Sequence, residues 1–324
     1  MINLKEFKTK FDREINQYLD NKIQEAEKID KKAPDLIKIV KEFINYGGKR
    51  FRPAIFYYAY QSYSQRSLEK IFKLSFIFEL FQTFALIHDD IIDKADLRRN
   101  WISVNKKYGI ETAILAGDTA LMLADELFYE ICLEKPKINK LYNRFKQDTI
   151  IGQYFDLIKL CEVEKIIDLK TSRYSFIYPG IIGMTLAKAS REEIQKWAEI
   201  LKEVGFIFQL KDDFNGIFAD EKIFGKPITS DLKEGKNTFI IKQFLLKATE
   251  KEKIKFYSFF GKQKVNHNHL NWIKKILNRK GIVEKIKKTI LNRSNKIRKE
   301  LSKFSRQTSL TSLINLILIR INEF

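Results

Sequence analysis

The chain has 324 residues with only 13 Gly and 5 Pro, and no Pro/Gly/Ser-rich stretch divides it, so one large domain with ample core material is expected. Its net charge of +19 is unevenly placed: residues 241–324 hold 21 Lys and Arg against 5 Asp and Glu, which is +16. The two cysteines, Cys132 and Cys161, have neither metal-ligand spacing nor a disulfide framework around them, which argues against a disulfide scaffold and fits a reducing cytoplasm.

Few turn formers and long apolar segments of period 3.6 argue for an all-α fold. The N-terminus mixes acids and bases and lacks the apolar core of a signal peptide. Glu79 and Gln82 interrupt the best apolar stretch, Phe72 to Ile87, so no span of the ~18 apolar residues needed to cross a membrane is expected and the protein reads as soluble.

Residues 3–46 read as two helices broken near Lys32-Ala33-Pro34, since proline disfavours helix at the preceding residue and is welcome in a first turn. Gly47-Gly48-Lys49-Arg50-Phe51-Arg52-Pro53 follows, a glycine turn with three cations. Glycines let backbone amides approach an anion, while Lys49 and Arg52 supply a point charge and a forked donor. A helix C-cap among ordinary basic neighbours has the same composition.

A helix from about Ser67 to Lys94 carries Asp89, Asp90 and Asp93 inside an apolar pattern, where carboxylates are unfavourable unless paired or holding a metal. Asp89 and Asp93 are four apart and share one face. Two carboxylates on one face suit Mg²⁺, which completes its shell with water and substrate phosphates. Arg98-Arg99 follow in a polar turn, either as surface ion pairs or as a grip on two phosphates. Residues 110–131 read as an apolar helix with Gly117-Asp118 at its middle, a close-packing site where a buried Asp118 needs a partner.

Residues 148–159 contain Gly152-Gln153 and Asp156, and residues 169–183 contain Lys170-Thr171, which is either another anion grip or a lysine snorkelling from a helix. A helix from Glu192 leads to Gln209 and a second acidic pair, Asp212-Asp213. Two such pairs facing one cavity would hold a cluster of divalent cations and receive a diphosphate. From Ile217 to Lys236 the helical pattern stops; Lys226, Asp231 and Lys236 among Gly and Pro suit either a mobile lid over phosphates or a charged solvent loop.

Residues 241–324 read as basic amphipathic helices ending in an apolar stretch, residues 311–324, that packs against the body. Their charge is that of a solvated surface, or of one that meets membrane headgroups or nucleic acid. His267 and His269 form a His-x-His pair in a polar turn, with no carboxylate or thiol nearby to complete a metal site.

In order along the chain, GGKRFRP, LIHDDIIDKADLRRN, GQYFD, LKTSRYSF, FQLKDDF and FGKPITSDLKEGKNT resemble the motifs of the trans-isoprenyl diphosphate synthases, the polyprenyl synthetase family. The motif-bearing part is about 47–238, followed by the basic helical part 241–324. The resemblance implies a single-domain isoprenoid-synthase helical bundle around a deep central cavity, usually a homodimer. It implies that Asp89 and Asp93 ligate Mg²⁺ on an allylic diphosphate and that Asp212 holds a further Mg²⁺, three ions per site. By the same resemblance, Lys170, Thr171, Gln209, Lys226, Lys236 and Arg98 hold that diphosphate. Gly48, Lys49, Arg52, Gln82 and Arg99 go with isopentenyl diphosphate. Mg²⁺ and the cations would let the allylic carbon–oxygen bond ionise, isopentenyl diphosphate would attack the cation, and a proton would leave without any protein nucleophile. One departure is Gly216, where the family's second motif has a third Asp.

Phe84 lies five residues before Asp89 and Phe81 eight, so on a helix both can point below the metals; the pitch of about 5.4 Å is close to one isoprene unit. With Ala85 four before the motif, this pattern resembles short-chain members and leads us to expect geranylgeranyl diphosphate, with farnesyl diphosphate the nearest alternative and longer products after it. The same two rings also fit core positions facing neighbouring helices. Readings from other classes are a terpene cyclase, disfavoured by Asp212-Asp213-Phe214-Asn215-Gly216, and a non-catalytic subunit of a heteromeric synthase, disfavoured by the intact first motif and Arg pair. Weak contact with an anionic membrane surface is expected of the basic part, and nucleic-acid binding is not.

Overall fold

Asn3 opens the first helix: its side-chain oxygen accepts the N–H groups of Lys5 and Glu6, which would otherwise be orphaned at the helix start. The structure, a computed structural model, describes residues 3–159, 161–219, 229–262, 264–304 and 308–324. They form two compact units, residues 1–141 with 179–190 and residues 142–178 with 191–324. Apart from one ribbon of two residues per strand, regular structure among the described residues is helical, as the sparse Gly and Pro lead one to expect.

In the first unit α1 (Leu4–Glu27) buries Phe7, Phe11, Ile15, Tyr18 and Leu19, an i, i+4 stripe. Pro34 precedes α2 (Asp35–Asn45), so the expected break is present. Then come α3 (Phe51–Gln61), α4 (Leu68–Leu74), α5 (Phe76–Ile92), α6 (Val104–Tyr108) and α7 (Ile110–Cys132). The single helix expected from Ser67 to Lys94 is two helices, separated at Ser75, whose hydroxyl donates to the carbonyl of Phe72 at 2.6 Å. A second correction concerns apolarity. Residues Leu68–Ile92 together are long and apolar enough to cross a membrane by length and composition, despite Glu79 and Gln82, and 78% of the most apolar window is buried inside the protein.

The acidic helix α5 lies along α7, where Ala113, Ala116, Gly117 and Ala120 present small buried surfaces. Ile87 of α5 joins Ala113, Ala116, Ile39, Phe43 and Val104 in one buried cluster. This packing fixes the end of α5 that carries the aspartates.

The second unit contains residues 142–158 of α8 (Pro136–Ile158), α9 (Val163–Ile166), a π-helical segment Ile167–Ile177 that leads into α10 (Tyr178–Leu186), and the long α11 (Arg191–Phe218). Beyond the undescribed residues 220–228 follow α12 (Ser230–Glu234), α13 (Phe239–Lys247), α14 (Glu250–Tyr257), α15 (His267–Arg279), α16 (Ile282–Leu301) and α17 (Ser309–Asn322). The π-helical segment, α13, α15, α16 and α17 all pack on α11. A Cβ on Gly205 would stand 2.5 Å from the Cα of Ser172, so α11 and the π-helical segment touch backbone to backbone there. The C-terminal α17 buries Leu310, Leu313, Ile314, Ile317, Leu318 and Ile321, the packing its composition implies.

Two loop expectations are corrected. The helix expected to end before Ile217 continues to Phe218, and residues 230–234 form a short helix. His267 and His269 begin a helix: Asn266 and His269 cap one another, and the His269 ring stacks on Phe259 at 4.4 Å, so its nitrogen serves the helix start.

Candidate active site

At the end of α5 the three aspartates have separate environments. Asp90 is fully buried, Asp89 partly so, and Asp93 caps the helix in a partly exposed position. The chain then turns back through an antiparallel ribbon, Leu97 opposite Ile102 and Arg98 opposite Trp101. Arg99 and Asn100 at its tip both have left-handed backbones, φ 54° and 66°, the geometry of a two-residue hairpin. The polar turn expected here is thus a small ribbon, and it returns Arg98 to its own helix. The guanidinium donates to Asp90 through Nε at 2.8 Å and again through Nη2, which also lies 3.4 Å from Asp89 Oδ2. Burial raises the Asp90 carboxyl above the usual carboxylate range, and Arg98 opposes that rise.

The glycine turn resolves its three cations into different positions. Arg50 is buried, donating to Asp12 at 2.7 Å, to Glu79 and to the carbonyl of Ile44 at 2.7 Å. Lys49 is exposed and Arg52 partly buried. Gly48 has φ +148°, and a Cβ there would stand 3.0 Å from Arg50 Nη1 and 3.3 Å from both terminal nitrogens of Arg99. The backbone comes close to both guanidinium groups at Gly48, where a side chain would not fit. Arg99 itself donates to the carbonyl of Gly47.

Before the motif Gln82, Phe81 and Phe84 are buried, with the two rings 5.4 Å apart. Phe84 meets the edge of His88 at 4.7 Å. The partner sought for Asp118 is His88, Nε2 to Oδ1 3.6 Å, although the Asp118 side chain is half exposed.

The second unit gathers another group. In the π-helical segment, a geometry often found at functional sites, Lys170 pairs with Asp156 at 2.6 Å and the Thr171 hydroxyl donates to Gln209 Oε1 at 2.5 Å. A Cβ on Gly152 would stand 2.7 Å from the backbone nitrogen of Lys170, so α8 passes directly against this segment. The amide of Gln209 donates to Asp213 Oδ1 at 2.8 Å, and the backbone N–H of Phe239 donates to Oδ2 at 3.1 Å. Asp213 is buried, which pushes its carboxyl up to about 7 against those two hydrogen bonds; Asp212 beside it is exposed. Lys236 lies 2.6 Å from Glu234. Lys226 falls outside the described residues.

In both acidic pairs the second carboxylate is buried as an anchor, while the first is less buried: Asp89 partly so and Asp212 exposed. The anchoring roles of Asp90 and Asp213 were not anticipated, nor was Asp148, which is buried and receives Arg173 and the Tyr178 hydroxyl, each at 2.7 Å. A doubled Asp in an apolar helix is the available signal, since two adjacent residues on a helix cannot face the same way. No cluster of three or more His, Cys, Asp or Glu is gathered for a metal among the described residues. Mg²⁺ asks for less, one or two carboxylates plus water and substrate phosphate, and the carboxylates of Asp89, Asp93 and Asp212 are hard donors that fit it.

The fold is that of the isoprenoid-synthase helical bundles. A geranylgeranyl pyrophosphate synthase of Corynebacterium glutamicum, solved with isoprenyl diphosphate and magnesium, matches with a TM-score of 0.89 at 25% identity over 99% of both chains. Among sequences, the geranylgeranyl diphosphate synthase of Sulfolobus acidocaldarius is 32% identical over 68% of this chain and 70% of its own. The short chain isoprenyl diphosphate synthase of Methanocaldococcus jannaschii is 29% identical over 80% of each. The polyprenyl synthetase family model matches residues 33–277. The chain belongs to the polyprenyl synthetase family and is a prenyltransferase.

Proposed function

We propose that the protein condenses isopentenyl diphosphate with an allylic diphosphate to give geranylgeranyl diphosphate. The observation that carries this reading is the repeated pair, a more accessible carboxylate next to a buried, hydrogen-bonded one, at both acidic motifs. Asp89, Asp93 and Asp212 would hold Mg²⁺, which when bound supplies positive charge for the departing diphosphate.

The chain's own residues do the rest. Lys170, Thr171, Gln209, Lys226, Lys236 and Arg98 hold the allylic diphosphate; Lys49, Arg52, Gln82 and Arg99 hold isopentenyl diphosphate, with Gly48 keeping the backbone clear of Arg99. The allylic carbon–oxygen bond breaks with its electron pair going to diphosphate. The alkene of isopentenyl diphosphate then forms the new carbon–carbon bond, and the proton it loses goes to the released diphosphate. Asp90 and Asp213 act by positioning: one fixes Arg98, and the other fixes the Gln209 amide whose oxygen receives Thr171. Phe81 and Phe84 limit product length.

We further infer a homodimer. In the first unit Ile114, Leu115 and Met122 lie exposed on one face of α7, and in the second Ile150, Ile151, Tyr154 and Leu157 lie exposed on α8. Apolar stripes of that kind are suited to a second copy.

Purified protein incubated with Mg²⁺, isopentenyl diphosphate and each allylic primer, followed by chromatography of the extracted products, tests the reading. A twenty-carbon product is expected. A fifteen-carbon or longer product would replace the product assignment, and no product with any primer would remove the catalytic reading.

A further inference from the structure

The basic quarter contains one helix whose exposed side is organised. Along α16, Ile282, Val283, Ile286, Ile290, Ile297 and Leu301 are buried, a stripe of period 3.6 that faces the protein. Around the rest of the helix Lys285, Lys288, Lys296 and Lys299 are exposed, and Leu291, 48% exposed, stands at the edge of their row. From Lys288 to Lys299 the face runs about 16 Å.

Of the acids near it, Glu284 is exposed on the same helix and two others are engaged. Glu300 pairs with Lys303 at 2.8 Å, and Glu203 on α11 takes Arg293 at 2.6 Å. Lys285 donates to Gln243 at 2.8 Å. Lys288, Lys296 and Lys299 form no ion pair among the described residues, and of these three only Lys296 and Lys299 sense Glu300 at longer range.

We propose that this face of α16 docks the enzyme on an anionic lipid surface. Lysines are free to reach headgroup phosphates, the charge is complementary, and the exposed Leu291 can enter the headgroup–acyl boundary. A lipid surface is favoured over nucleic acid by that exposed apolar residue, which borders the lysines about 60° around the helix from Lys288. The inference does not depend on the product assignment.

Sedimentation of the full-length protein with vesicles of phosphatidylcholine alone, or mixed with phosphatidylglycerol, tests it. Binding is expected only to the anionic vesicles, and it should vanish at high salt. Each of Lys288→Gln, Lys296→Gln and Lys299→Gln should weaken it about fivefold, and the triple variant about a hundredfold. Leu291→Gln should weaken it with charge unchanged, while prenyl transfer between soluble substrates stays at the parent rate in every variant. Circular dichroism confirms that each variant is folded. No binding at low salt, or binding untouched by the triple variant, overturns the proposal. So does duplex DNA that binds the same face more tightly than the vesicles do.

Discussion

A Cβ on Gly117 would lie 2.4 Å from the ring of His88, so α7 and α5 touch at a point where only glycine leaves room for the imidazole. Nε2 of that ring lies 3.2 Å from the carbonyl of Ile114, and the ring edge rests against Phe84. The chain of contacts from Gly117 through His88 to Phe84 ends in the residue proposed to limit product length. Phe84→Ala should lengthen the product, and Phe81→Ala added to it should lengthen it further. Gly117→Ala should overpack the contact, costing about 1–3 kcal/mol, and shift the product distribution by moving His88 against Phe84. Chromatography of products from folded protein decides: an unchanged distribution in the Phe81/Phe84 double variant, with activity retained, places the limit elsewhere.

The two members of each acidic pair should respond differently to substitution. Asp212→Ala removes an exposed carboxylate and Asp89→Ala a partly buried one that only loosely faces Arg98, so the melting temperature should change little while turnover falls by orders of magnitude. Asp213→Ala leaves the Gln209 amide and the Phe239 N–H without their acceptor, a loss of about 1–3 kcal/mol. Asp90→Ala removes the carboxylate whose Oδ1 accepts two N–H groups of Arg98 and should cost on the order of 3 kcal/mol. Thermal denaturation alongside steady-state kinetics separates these effects. Near-normal turnover in Asp89→Ala and Asp212→Ala would sink the two-motif mechanism.

Much of this arrangement could be read from residues alone, and what could not was long-range. Periodicity reveals α1, α2, α7 and α11 because each has a buried face of its own. The order of six short motifs reveals the family. No pattern separates Arg50 from Lys49 and Arg52, because its burial depends on Asp12 and Glu79, 38 and 29 residues away. The ribbon at residues 97–102 also escapes, since two residues per strand are too few for alternation and Arg-Asn is a weaker hairpin signal than Asn-Gly. The apolar run 68–92 is misjudged when polarity is counted without partners: Glu79 sits inside it because Arg50 meets it there.

Arg50 should therefore matter for folding more than for substrate. Arg50→Ala would leave Glu79 buried and uncompensated, a loss of about 3–5 kcal/mol. Lys49→Ala, at an exposed position, should leave the melting temperature unchanged and raise the KM for isopentenyl diphosphate. Equal melting temperatures for the two variants would contradict this division.

Gly48→Ala should act on the same turn through geometry. Its φ of +148° disfavours an L side chain, and the added methyl would meet Arg50 and Arg99 at 3.0 and 3.3 Å. Arg99 would have to move, so the KM for isopentenyl diphosphate should rise with little change for the allylic substrate. A parallel rise in both constants would point to a general loss of structure, which thermal denaturation would reveal.

The apolar stripe on α7 gives the last prediction. Leu115 and Met122, 54% and 69% exposed, are seven residues apart and so share a face, and Ile114 lies beside them. Charged residues there would have little effect inside one copy, because the side chains already point outward. In a dimer they would be buried against the partner, and a twofold axis would place each substitution there twice. Leu115→Glu with Met122→Glu should therefore lower the apparent mass in sedimentation velocity from dimer to monomer, with helical content retained. A parent protein that sediments as a monomer at micromolar concentration, or a double variant that remains dimeric, would show that this face is not the interface.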